Sequence, residues 1–206
     1  MTATDAGDAG RTPDYMLDAD GWCAGARHLP SPNFDQRPAG AAIDLLVIHN
    51  ISLPPGQFGG PYIAALFTNT LDHDVHPYFD HLRPLRVSAH FLILRTGDLV
   101  QFVSTNARAW HAGVSLFDGR ERCNDFSIGI ELEGSDFVPF EPLQYSCLAA
   151  LTRALAHRYP LVSVVGHEHI APGRKTDPGP CFDWCAYWEC CVAEQKSDVP
   201  RFPKLT

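Results

Sequence analysis

Leu45-Leu46-Val47-Ile48 is an unbroken apolar run that stops at His49-Asn50. Four successive apolar residues without alternation are what a strand buried on both faces requires. Beyond it, Pro54-Pro55-Gly56 and Gly59-Gly60-Pro61 enforce a long loop. Tyr62 to Phe67 then reads as a short helix with Pro61 in its first turn. His90 to Arg95 and Leu99 to Val103 flank Thr96-Gly97-Asp98, the pattern of a β-hairpin in which Gly97 takes the unusual dihedrals. Ser127 to Glu133 is a further strand. Leu143 to Arg158 carries Leu148, Leu151 and Leu155 at helical spacing, so an amphipathic helix is expected there. Leu161 to Val165 is a short strand stopped by Gly166-His167, and Asp183 is placed to cap a last helix through Val192. Strands and helices mix without regular alternation. The expected class is α/β: one domain, a mixed β-sheet with helices packed on it.

The composition agrees with one domain. The chain has 206 residues, of which 45% are hydrophobic, enough for a single core. Residues 1–20 are small and polar without periodicity and read as a flexible tail, with the domain over 21–195 and a C-terminal tail over 196–206. A net charge of -8 argues against a nucleic-acid or anionic-membrane surface, so the expected partner is a small molecule met by a few local cations. A monomer is the expectation. The N-terminus lacks a basic start followed by an apolar stretch, and no apolar run approaches the roughly 20 residues that cross a bilayer. Seven cysteines, an odd count, fit a reducing compartment better than a disulfide framework. A cytoplasmic protein is expected.

Chemistry concentrates at the strand ends. Of ten histidines, His49 and His167 each follow an apolar strand, His167 by way of Gly166. Rigid strand ends can fix a ligand nitrogen at the short distance that zinc requires. Asp177 precedes Pro178, which disfavours helical backbone at 177. In an extended segment residues two apart point the same way, so Lys175 and Asp177 are expected to face one site. Two imidazoles and a carboxylate form a standard three-ligand set that leaves zinc a position for water. His169, two residues beyond His167, is a competing ligand if that segment is extended. In Ser127-Ile-Gly-Ile-Glu-Leu-Glu133, alternation puts Ile128, Ile130 and Leu132 on the core face. Ser127, Gly129, Glu131 and Glu133 share the other, where Gly129 is expected to leave open space beside Glu131. Glu131 is the preferred general base, with Glu133 as the alternative on the same face. There is no Gly-rich nucleotide loop and no Gly-x-Ser-x-Gly elbow.

Five segments together carry a resemblance: Val47-Ile-His-Asn-Ile-Ser-Leu-Pro-Pro-Gly56, Arg86-Val-Ser-Ala-His90, Trp110-His-Ala-Gly113, Arg120-Glu-Arg-Cys-Asn-Asp-Phe-Ser-Ile-Gly-Ile-Glu-Leu-Glu-Gly134 and Arg174-Lys-Thr-Asp-Pro-Gly-Pro180. Over roughly Gly21 to Trp184 the chain resembles the zinc amidases that cleave 1,6-anhydro-N-acetylmuramyl-L-alanine, a family related to the peptidoglycan-recognition proteins. The resemblance implies one zinc per chain on His49, His167 and Asp177. It also implies a proton acceptor at Glu131, a transition-state stabiliser at Lys175, and a substrate cleft bordered by Asn50, Arg86, Trp110 and Arg122. Arg86 or Arg122 is the expected receiver of substrate carboxylates. Relatives with cysteine as third ligand differ, since the matching residue here is Asp177. The implied reaction is hydrolysis of the amide between anhydro-muramic acid and L-alanine, in recycling of cell-wall muropeptides. The competing expectations are a non-catalytic muropeptide-binding module, which would be expected to lack a ligand or the Glu–Lys pair, and a structural zinc site on Cys181, Cys185, Cys190 and Cys191.

Overall fold

The computed structural model describes residues 14–193 and 199–203. In chain order the strands are β1 (Met16–Leu17), β2 (Cys23–Ala24), β3 (Arg27–His28), β4 (Phe34–Gln36), β5 (Leu45–Ile51), β6 (Phe91–Ile93), β7 (Leu99–Gln101), β8 (Ala107–Ala109), β9 (Leu116–Phe117), β10 (Arg120–Glu121), β11 (Ser127–Glu133) and β12 (Ser163–Gly166). The α-helices are α1 (Tyr62–Phe67), α2 (Pro142–Arg158), α3 (His167–Ile170) and α4 (Trp184–Val192). A six-stranded sheet in the order β12-β5-β11-β6-β7-β3 forms the centre. It is mixed: β12, β5, β11 and β6 run parallel, and β7 returns antiparallel to β6.

The apolar run of β5 is buried on both sides, as its composition demands. Leu46 and Ile48 join Ile128, Ile130 and Leu132 under α2 and α4. Leu45 and Val47 face the other way, with Ala112, Phe126, Val165 and Ile170. Burying each such side chain is worth about 1.5–3 kcal/mol, so a charge anywhere in this run would open the sheet. Leu148, Leu151 and Leu155 make the buried stripe of α2. Gln144 docks that helix on the sheet by donating to the carbonyls of Ile93 and Glu133. Gly97 turns the β6–β7 hairpin at φ +85°, where a Cβ would lie 3.0 Å from that of Leu143. Asp183 caps α4 by accepting from the Ala186 N–H at 2.9 Å.

The expected limits need revision at three places. The flexible N-terminal tail does not extend to residue 20, because β1 pairs with β2 and Tyr15 and Leu17 pack on the core. At the C-terminal end, Val199 and Phe202 pack on the same core and Arg201 bridges Ser163. A few isolated apolar residues carry no periodicity, which is why both stretches read as tails; residues 1–13, 194–198 and 204–206 lie outside the described residues. The strand expected from Leu161 begins only at Ser163, and it runs on through Gly166 into α3. No helix among the described residues is long and apolar enough to cross a membrane.

Candidate metal centre and catalytic cleft

The parallel strands β5, β11 and β12 bring their C-terminal ends to one edge of the sheet, where α/β proteins build their sites. In register, His49 on β5 lies beside Glu131 on β11, so both side chains project from the same face. Gly166 ends β12, and α3 starts with His167 directly behind it. Asp177 enters from the turn that follows, its carbonyl accepting from the Glu168 N–H at 2.9 Å. That segment is a turn with a cis Asp177–Pro178 bond and not the extended stretch expected, yet Lys175 and Asp177 still line one cleft.

His49 Nδ1, His167 Nδ1 and Asp177 Oδ2 form a nearly equilateral triangle with sides of 2.9, 3.0 and 3.0 Å. A tetrahedral ion with ligand bonds of 2.0–2.1 Å needs ligand atoms about 3.3 Å apart. The triangle is close to one face of that tetrahedron, so these residues fit zinc. The protonation pattern fits too. His167 Nε2 lies 3.0 Å from the Ala112 carbonyl, which can only accept. The proton of the neutral ring is therefore on Nε2, and Nδ1 presents a lone pair. Burial pulls His49 down to about 4, which keeps this ring neutral at pH 7. Asp177 Oδ2 completes the set, 2.9 Å from His49 Nδ1 and 3.0 Å from His167 Nδ1. Among the described residues, these three form the group of potential ligands close enough to share an ion; the cysteines form none.

His169 does not compete. Because 167–170 turn as a helix, its ring swings away, with Nδ1 accepting from the Gly166 N–H at 2.8 Å and the ring against Trp184.

Glu131 and Glu133 share a strand face but differ in their partners. Glu133 is saturated: its Oε1 accepts from the Gly59 N–H at 2.5 Å and its Oε2 from the Arg95 N–H at 3.2 Å. Glu131 is also buried, and nothing among the described residues hydrogen-bonds its Oε2. Burial first, then Asp177, raises its pKa well above the ordinary carboxylate value, against the lowering influence of Lys175. The space expected beside Gly129 is not open. The ring of His111 fills it, and a Cβ at 129 would lie 2.4 Å from His111 Cγ. In the sequence His111 has no role beyond its place in the Trp110-His-Ala-Gly113 segment, although a glycine within a strand is itself a sign of close approach.

The cleft above the triangle has a volume of about 660 Å³. Its lining includes Asn50, Tyr78, Trp110, Phe137, Arg174 and Lys175 beside Glu131. Asn50 is already engaged, its Nδ2 donating to Asp136 Oδ1 at 2.7 Å and to the Pro178 carbonyl at 2.9 Å. It braces the turn that carries Asp177. Arg86 and Arg122 are not part of the lining. Arg86 folds back on the carbonyls of Arg83 and Leu85, and Arg122 pairs with Asp125. The arginine of the cleft is Arg174, which sequence reasoning passed over; it donates to the Ala112 carbonyl at 3.0 Å.

Comparison with known proteins agrees with this geometry. The family model for N-acetylmuramoyl-L-alanine amidase matches residues 39–180. The 1,6-anhydro-N-acetylmuramyl-L-alanine amidase AmpD of Citrobacter freundii is 59% identical over 174 residues, covering 84% of this chain and 93% of that protein. A crystal structure of a selenomethionine derivative of AmpD superposes with a TM-score of 0.83 at 58% identity, covering 85% of this chain and 98% of that one. Drosophila PGRP-LB shares the fold alone, with a TM-score of 0.53 at 18% identity over 88% of this chain and 98% of its own. The chain belongs to the N-acetylmuramoyl-L-alanine amidase family and, within it, to the AmpD amidases.

Proposed function

We propose that the chain is a zinc-dependent amidase that cleaves the bond between the lactyl carbonyl of 1,6-anhydro-N-acetylmuramic acid and the nitrogen of L-alanine. We place it in the cytoplasm, in the recycling of cell-wall muropeptides. The observation that carries this reading is the convergence of three ligand atoms, 2.9–3.0 Å apart, beside a buried carboxylate with an unpartnered oxygen. A binding module has no use for such a carboxylate, whereas a hydrolase needs one to take a proton.

His49, His167 and Asp177 hold the ion. Bound there, zinc supplies a Lewis acid that makes water nucleophilic near neutral pH. Glu131 takes the proton as water adds to the lactyl carbonyl; its raised pKa brings it nearer the operating range of a general base. The Lys175 ammonium faces the carbonyl oxygen as negative charge grows on it. Collapse breaks the C–N bond, Glu131 or Lys175 returns a proton to the departing amine, and the carboxylate product forms. Trp110 packs against the sugar, and Arg174 rather than Arg86 or Arg122 is placed to meet a stem-peptide carboxylate.

Incubation with an anhydro-muropeptide, followed by mass spectrometry, tests the reading. The expected products are the free stem peptide and anhydro-N-acetylmuramic acid. The reaction should stop when zinc is chelated and return when it is restored. An intact substrate in the presence of zinc would overturn the proposal.

A further inference from the structure

The two imidazoles of the triangle are held from behind by one dipeptide. The Ala112 carbonyl takes the Nε2–H of His167 at 3.0 Å, and His111 Nδ1 stands 3.0 Å from Nε2 of His49. Both residues are pinned by the buried side chain of Asn124, whose Oδ1 accepts from the His111 N–H at 3.2 Å and the Ala112 N–H at 2.8 Å. The two supports differ in kind. A carbonyl has lone pairs only, so the proton on His167 is settled. An imidazole can donate or accept at either nitrogen, so the proton on His49 depends on which one His111 carries.

The metal side decides that: an ion needs the Nδ1 lone pair of His49, so the neutral His49 ring carries its proton on Nε2 and His111 Nδ1 accepts it. The proton of His111 is then on its own Nε2, 3.2 Å from Ser127 Oγ, a hydroxyl that can accept it, and the ring sits flush on β11 where only glycine at 129 admits it. We infer that His111 is a positioning residue for the metal centre: it donates from Nε2 to Ser127 and accepts at Nδ1 from His49, so that His49 Nδ1 faces the ion as a bare lone pair. The inference rests on the reading of His49, His167 and Asp177 as the zinc ligands. Outer partners of this kind raise ligand basicity and lock ring orientation, and their loss typically costs about 10–100-fold in metal affinity.

The contrast between two amide replacements isolates the effect. Asparagine at 111 places its carbonyl oxygen where Nδ1 now lies and can still accept from His49. Glutamine carries that oxygen one bond further, toward Ser127. Phenylalanine keeps a ring and offers no acceptor. Zinc affinity of the full chain is read by competition with a chromophoric chelator, without reference to turnover. His111→Asn should stay within about threefold of the parent, while His111→Gln and His111→Phe should weaken zinc about 10–100-fold. A merely space-filling residue would favour Gln, which is nearer to histidine in volume, over Asn. Equal affinity in all variants, or equal loss in Asn and Gln, would overturn the inference. In the zinc-loaded parent, ¹⁵N spectra of histidine should show His49 protonated on Nε2; a proton on Nδ1 also overturns it. A parent that binds no zinc refutes the metal reading itself, a separate outcome.

Discussion

Glu131→Gln should disable the protein and stabilise it at once. The side chain lies buried, with nothing among the described residues bonded to Oε2. A buried group without its hydrogen bond costs about 1–3 kcal/mol, and more when charged. Replacing the carboxylate by an uncharged amide of the same shape relieves part of that cost, about 1–2 kcal/mol at neutral pH. For a domain of this size 1 kcal/mol moves Tm by about 2–4 °C, so a rise of several degrees is expected. The sign with pH is definite. Glu131 has its folded pKa raised by burial and by Asp177. Its protonated form is therefore favoured in the folded state, and stability is lost as pH rises through that raised value. The gain in Tm from Gln should thus be absent below the ordinary carboxylate value, grow as pH rises from there to the raised value, and level off above it. Calorimetry on chelator-stripped protein across pH 4–8 measures this, and turnover with zinc restored should be down about 10²–10⁴-fold. A Tm that falls at neutral pH, or a difference independent of pH, would refute the reasoning. So would retained turnover, which would remove Glu131 from the proton-accepting role.

Glu133→Gln should do the opposite. Both its oxygens accept from backbone N–H groups, and an amide keeps only one acceptor, so stability should drop by about 1–3 kcal/mol while zinc content holds. Because Gly59 belongs to the loop whose Leu53, Pro55 and Gly56 wall the cleft, KM should rise more than kcat falls in steady-state kinetics. Lys175→Met should lower kcat on the order of a hundredfold with little change in KM. Since the ammonium lowers the Glu131 pKa, its removal should also carry the acid limb of the pH–rate profile to higher pH.

What was legible in the sequence was what depends on neighbours along the chain. The burial of Leu45 to Ile48 on both faces requires four apolar residues in a row, and that requirement is visible in a window of four. His49 became a candidate because it ends that run, and His167 because it ends another. The helix expected from Leu143, which the structure starts at Pro142, and the turn at Gly97 were readable for the same reason, period and breaker residues being local. Partnership across the fold is a different kind of information. Glu131 and Glu133 obey one alternation, and they part company only because backbone donors from Gly59 and Arg95 arrive at Glu133, from 74 and 38 residues away. His111 lies 62 residues from the ring it supports, in an irregular stretch that offers no period. Beyond its place in the Trp110–Gly113 segment, its trace was Gly129, and absence of a side chain marks either empty space or a close neighbour. Arg86 and Arg122 sit in the right motifs, but their guanidinium groups find local carbonyl or carboxylate partners first. Arg174 reaches the cleft because the turn after α3 folds over the His111-Ala112 dipeptide, and no window of sequence contains both. The scaffold is thus written in short-range pattern, whereas the choice between chemically equal side chains is made by whichever distant backbone group gets to them. For a hydrolase this has a direct consequence: the carboxylate left without a protein partner is the one still able to take a proton from water.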